Sequence, residues 1–154
     1  LFLKGKLSVT SYSVKLTPDI LSHAGIDECR AWEKAMENLC ADTQITSLTK
    51  LLSDMSGIPL EAPAEPDISL HVITNTEKYK GAATILNRKA LRSFAREHHT
   101  NMLFVLPSSV HEMMISPFTE KTTADELSAI VREVNETQVA PEERLTDRAY
   151  ILCL

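Results

Sequence analysis

Pro107-Ser108-Ser109-Val110-His111-Glu112 groups more chemically capable side chains than any other stretch of the chain. A serine hydroxyl becomes a nucleophile when an imidazole within about 3 Å takes its proton, and the imidazole in turn needs an acceptor to orient it. Ser108 or Ser109, His111 and Glu112 supply the three types. Adjacent side chains on an extended chain point to opposite sides, so His111 and Glu112 converge only if the backbone turns sharply. The Gly-x-Ser-x-Gly pattern of a nucleophile elbow is absent. The same residues also meet a simpler requirement. Ser109 can cap a helical turn while Glu112, three residues on, reaches back to the N–H of the cap.

Other polar groupings are weaker. His111-Glu112 lacks the second histidine one helical turn on that a His-Glu-x-x-His zinc site needs. His98 and His99 are neighbours near a helix end, where side chains diverge by about 100° and serve the C-terminal carbonyls more readily than a metal. No metal and no cofactor are expected. Arg132, Asn135 and Gln138 are spaced by three and predict a common helix face that could hydrogen-bond an amide or carboxylate. Glu142-Glu143-Arg144 reads as loop charge. Four glycines leave no phosphate-binding Gly-x-Gly-x-x-Gly. The candidate polar site is therefore Ser108, Ser109, His111, Glu112 and Asn135.

The elements that must position these groups are legible from periodicity and punctuation. Alternation predicts a strand over Lys6 to Val14. Thr17-Pro18-Asp19 opens a short helix that Gly25 ends. Asp27 caps a second helix with Trp32, Ala35, Met36, Leu39 and Cys40 on one face, and Trp32 on that stripe reads as core or as a contact to a missing N-terminal segment. Ser47 caps a third, closed by Gly57. Pro59, Pro63 and Pro66 mark an internal loop over 59–67. Ile68 to Ile73 and Gly81 to Leu86 read as two strands of a hairpin. Asn87 caps a helix reaching His98, Met102 to Leu106 is a central strand, and Val110 to Ile115 is a further apolar run. Thr123 caps the clearest helix, with Leu127, Ile130, Val131 and Val134 on its stripe. Ala149 to Leu154 is a last strand. The expected fold is α+β (or mixed α/β), a mixed and mainly antiparallel sheet with helices packed against it.

A net charge of −5 and the lack of Lys/Arg clusters argue against nucleic acid as a partner. No apolar run approaches the roughly 20 residues of a membrane span. Cys29, Cys40 and Cys153 have no Cys-x-x-Cys spacing and read as reduced, mostly buried thiols, as in a cytoplasmic protein. The chain starts at Leu1-Phe2-Leu3 and ends at Cys153-Leu154, so we expect a single globular domain that is a C-terminal part of a longer protein. Self-association, or contact with a missing N-terminal segment, would then cover apolar surface.

Four stretches resemble a bacterial family of unknown function, domain of unknown function 5688, found chiefly in Firmicutes. They are Val72 to Asn75, Gly81 to Leu86, Leu103 to Glu112, and Val131 to Glu143. The resemblance covers most of the chain from Ile68 onward and implies that the Ser-Ser-Val-His-Glu and Val-Asn-Glu-Thr-Gln segments belong to the family signature. It implies no activity, cofactor or catalytic residue. Two functions remain. One is a non-enzymatic binding or accessory domain whose polar signature lines a groove or stitches the sheet to the last helix. The other is a small-molecule hydrolase using the Ser/His/Glu cluster at 108–112.

Overall fold

The computed structural model describes residues 2–7, 10–59, 68–107 and 109–154. They fall into two compact units, 1–41 and 42–154. Most of the predicted Pro-rich loop, 60–67, and Ser108 lie outside the described residues.

In the first unit, β1 (Phe2–Leu7) and β2 (Thr10–Lys15) pair antiparallel, from Phe2 opposite Lys15 to Leu7 opposite Thr10. The alternating pattern had pointed to one strand over Lys6 to Val14. Pairing instead divides that stretch between two strands, β1 up to Leu7 and β2 from Thr10, and the sequence between them has no glycine, proline, asparagine or aspartate to mark the division. Helix α1 (Pro18–His23) starts as its sequence dictates, with Thr17 as N-cap and Pro18 in the first turn. Helix α2 (Glu28–Asp42) starts from Asp27, whose carboxylate accepts the Arg30 N–H. Its apolar stripe is not core, because no residue of α2 is buried and Trp32 is 47% exposed.

The second unit is built on a five-stranded sheet. In chain order its elements are β3 (Thr43–Ser47), α3 (Leu48–Ser56), β4 (His71–Asn75), α4 (Arg88–Glu97), β5 (Met102–Leu106), β6 (Met113–Pro117), α5 (Ala124–Gln138) and β7 (Tyr150–Cys153). The strands lie side by side as β3-β4-β6-β5-β7, and every neighbouring pair is antiparallel. The fold is α+β.

Strand β5 explains the layering. Side chains alternate across a strand, and both faces of β5 meet apolar partners. Leu103 and Val105 join Ile73, Ile115, Leu91, Phe94 and Ala95 in a core against α4. Phe104 and Leu106 join Leu127, Val131 and Ala149 in a second core against α5. A helix therefore covers each face, which is why Met-Leu-Phe-Val-Leu reads as a continuous apolar run rather than an alternating one.

The helix starts hold. Ser47 and Asn87 accept from the N–H groups of Lys50 and Ala90, and Thr123 with Glu126 forms a reciprocal capping box. Gly57 leaves α3 in the left-handed region at φ 67°. Three segments differ from expectation. Residues Ala82–Leu86 form a 3-10 turn, not a strand, because β4 already has β3 on one side and β6 on the other. Strand β3 carries a single aliphatic residue, Ile45, and left no period to detect at its edge position. The apolar run from Val110 becomes strand only at Met113, since Ser109 to Glu112 belong to the connection between β5 and β6.

Candidate functional site

The β5–β6 loop is anchored at three points by its own backbone. The Val110 N–H donates to the Glu143 carbonyl, in the 3-10 turn Pro141–Glu143 that follows α5. The Gly81 and Ala82 N–H groups donate to the carbonyls of His111 and Val110. The Thr74 hydroxyl, near the end of β4, donates to the His111 carbonyl at 2.8 Å. Ser109 forms an isolated antiparallel bridge with Arg144. The loop thus ties β4, the turn after it and the segment beyond α5 into one node.

Gly81 is required there by space, not by its dihedral angles. A Cβ on it would stand 2.7 Å from the His111 carbonyl oxygen, 2.8 Å from the Asn75 nitrogen and closer still to Thr74 Oγ1. Two of those three atoms are backbone and cannot rotate away.

The Ser109 and His111 side chains of the node are both hydrogen-bonded within it. Ser109, 7% exposed, accepts the His111 backbone N–H at 3.0 Å, so its hydroxyl closes a local turn. No helical turn follows Ser109, and the predicted capping box with Glu112 does not form. The His111 ring binds at both nitrogens. Nδ1 accepts the Lys80 backbone N–H at 3.2 Å, and Nε2 lies 2.9 Å from Glu143 Oε1. A nitrogen that accepts from an N–H carries no proton, so the proton of the neutral ring is on Nε2 and is donated to Glu143. Lys78 and Lys80 both take positive φ, 51° and 50°, as the chain bends to place that N–H. Tyr79 packs on the imidazole with ring centroids 5.2 Å apart.

Glu143, not Glu112, is therefore the carboxylate of His111. Sequence reasoning missed it because it lies 32 residues away within a run that looks like ordinary loop charge. Its position two residues after Pro141, whose ring fixes the start of the turn, was the available signal.

Asn135 has separate partners. It is fully buried in line with Leu127 and Val131, not on a solvated face with Arg132 and Gln138. Its Nδ2 donates to the Thr146 carbonyl at 2.9 Å and to Asp147 Oδ1 at 2.6 Å, while its Oδ1 has no partner. Ser128 accepts the Ala149 N–H on the same helix face. These two residues stitch α5 to the segment leading into β7.

A groove of about 470 Å³ opens beside α4, along β3 and the first turn of α3, with Lys50, His71, Ser93, Glu97 and His98 among its lining. His71 Nδ1 donates to the Ser69 carbonyl at 3.1 Å, which leaves Nε2 as an unprotonated acceptor. The ring stands edge-on to Phe94 and to His98, at centroid distances of 4.7 and 5.3 Å. Burial is the main cause that pushes the His71 pKa below its ordinary 6.5. The Ser69 carbonyl opposes that shift, and the nearby His98 adds to it. Among the described residues no group of three His, Cys, Asp or Glu side chains is placed to hold a metal ion. Cys29, Cys40 and Cys153 are in no disulfide and are exposed, not buried as expected, because α2 and the outer strand β7 leave them uncovered.

The family of unknown function DUF5688 matches residues 5–153. The chain belongs to that family. No curated protein and no solved structure matches it. The DUF5688 match extends well before Ile68 and takes in most of the hairpin and all of α2. No helix among the described residues is long and apolar enough to cross a membrane.

His71 gives this DUF5688 chain a pH-dependent stability of known sign. Below pH 6.5 the unfolded chain takes a proton that the folded ring, with its depressed pKa, still refuses. The unfolded state then binds more protons, so stability falls as pH drops through that window and is unaffected above it. Urea denaturation of His71→Phe should show a flatter pH dependence below 6.5 than the parent chain. An unchanged slope would remove His71 as its source.

Proposed function

We propose that this chain is a non-enzymatic binding or accessory domain of a cytosolic protein, in which the Ser109–His111–Glu143 node holds the fold and the groove beside α4 receives the ligand. The observation that supports this most is the tautomer of His111. Its one lone pair is occupied by the Lys80 N–H and its one proton by Glu143, so it has nothing left with which to activate a serine. The Ser109 hydroxyl meanwhile accepts from the main chain at the His111 N–H. The hydrolase reading asks these groups for chemistry at the cost of the bonds that fix the loop. Three exposed cysteines, none of them in a disulfide, accord with a reducing compartment.

The test is thermal unfolding of His111→Ala. Loss of a main-chain bond and a charge-assisted bond, the latter partly solvated, should cost about 2 kcal/mol. That corresponds to roughly 6 °C in Tm for a chain of this size. Ser109→Ala should follow in the same direction with about half the effect. A His111→Ala chain that melts with the parent would leave the imidazole free for another task and defeat the reading.

A further inference from the structure

The groove beside α4 carries both signs of charge and one acceptor of fixed direction. We propose that it binds a small zwitterion of the α-amino acid or short-peptide class. The carboxylate would sit at the first turn of α3, by Ser47 and Lys50, and the ammonium between His71 Nε2 and Glu97. This rests on the binding-domain reading and names the ligand class for it.

The acceptor side is set by three residues. The Ser69 carbonyl holds the His71 proton on Nδ1, and the Phe94 and His98 rings hold the plane of the imidazole. Nε2 therefore offers a lone pair, which suits an N–H donor and repels an anion. Burial keeps the ring in this neutral form. Glu97, the last residue of α4, lines the same groove, and the carbonyl end of a helix favours a cation.

The donor side comes from α3. Its first turn holds no acidic residue, and Lys50 stands third in the helix, where the dipole disfavours a cation. Lys50 forms no ion pair among the described residues. The helix start and the Lys50 ammonium leave a local positive excess that a ligand carboxylate would neutralise, and the Ser47 hydroxyl, whose oxygen accepts the Lys50 N–H, has its own proton to donate. Ile45, Ala90 and Phe94 add an apolar wall for a side chain. A volume of about 470 Å³ accommodates an amino acid or dipeptide. A plain anion would meet Glu97 and the His71 lone pair, and a plain cation would meet Lys50.

The experiment is a titration of the whole ¹⁵N-labelled chain near pH 7.5, above the ordinary histidine range. The probes are free α-amino acids and diglycine, with acetate and methylammonium as single-charge controls. At least one amino acid or diglycine should saturably shift the amides of Ser47 to Lys50, His71 and Phe94 to His98. Acetate and methylammonium should bind at least about tenfold more weakly, as expected for losing one charged hydrogen bond. Lys50→Met and Glu97→Gln, both at exposed positions, should each weaken binding about tenfold without lowering Tm. Acetate binding as tightly as any zwitterion, or no saturation by any zwitterion up to about 10 mM, overturns the proposal. A panel of neutral and singly charged small molecules then separates the two levels. If some of these shift the groove amides, only the zwitterion class falls. If none do, the groove falls as the binding site too.

Discussion

Gly81→Ala should lower the stability of the chain by about 3 kcal/mol, or roughly 10 °C in Tm. The methyl group has no space to enter. It would stand 2.7 Å from the His111 carbonyl oxygen and 2.8 Å from the Asn75 nitrogen, both backbone atoms, and would overlap the Thr74 hydroxyl. Relief requires the 81–82 segment to withdraw. That movement breaks the bonds from the Gly81 and Ala82 N–H groups to the β5–β6 loop and displaces the Thr74 hydroxyl from the same carbonyl. Gly81 has ordinary φ and ψ, −87° and −6°, so no relief of backbone strain offsets the clash. Differential scanning calorimetry against the parent gives the number, and the double variant Thr74→Ala with Gly81→Ala reports how much comes from the hydroxyl. Removing that hydroxyl should restore only a minor share, since the two backbone contacts remain. A Gly81→Ala chain that melts as the parent does would mean that the turn and the loop are not in close contact.

Asn135→Asp should cost more, about 4 kcal/mol at neutral pH. The substitution changes no shape and one donor. Asn135 is fully buried, and its Nδ2 serves two acceptors, the Thr146 carbonyl and Asp147 Oδ1. A carboxylate in its place would face a carbonyl and another carboxylate with no proton among them. Desolvation and like-charge repulsion act together and raise the pKa of the introduced acid. The sign then follows from linkage. The folded state takes up a proton on that acid at higher pH than the unfolded state does, so the loss relative to parent shrinks as pH falls towards the ordinary aspartate range of about 4. Chemical denaturation at several pH values tests both the size and the slope. Asn135→Ala, which introduces no charge, should show a smaller loss and little slope.

These two sites also show where the sequence was legible. The helix caps were, because capping is local. Ser47, Asn87 and Thr123 each find their N–H partner three residues away, and Gly57 its left-handed turn. The central strand β5 was legible too, since a strand covered on both faces has no polar side to interrupt it. The 3-10 turn at Ala82–Leu86 was not, because five apolar-rich residues fit a strand and a tight turn equally well and only the occupied edges of β4 decide between them. Strand β3 was hidden for the opposite reason. Thr43-Gln44-Ile45-Thr46-Ser47 is an edge strand whose pairing comes from backbone bonds to β4, which side chains do not advertise.

The candidate site divides the same way. Ser109 and His111 are close in sequence, and the loop keeps them in contact, but through the main chain of His111 rather than its ring. The partners that define the imidazole, Lys80 and Glu143, lie 31 and 32 residues away on either side. Asn135 was singled out for its type, and its spacing suggested Arg132 and Gln138 as companions. Its helix phase instead places it with Leu127 and Val131, where burial and two fixed acceptors make it part of the packing. His71 drew no attention at all. Nothing local to it reveals that Ser69 fixes its tautomer or that α4 brings Phe94 and His98 against its ring.

The tautomer of His111 can be observed directly by long-range ¹H–¹⁵N correlation of the imidazole at a pH above the ordinary histidine range. The expected result is a single neutral tautomer, with a protonated Nε2 held on Glu143 and an Nδ1 shifted as an acceptor, both signatures lost together on unfolding. A proton found on Nδ1, or a ring that averages freely between the two forms, would mean that the imidazole is not held by the fold and would contradict the structural role given to it.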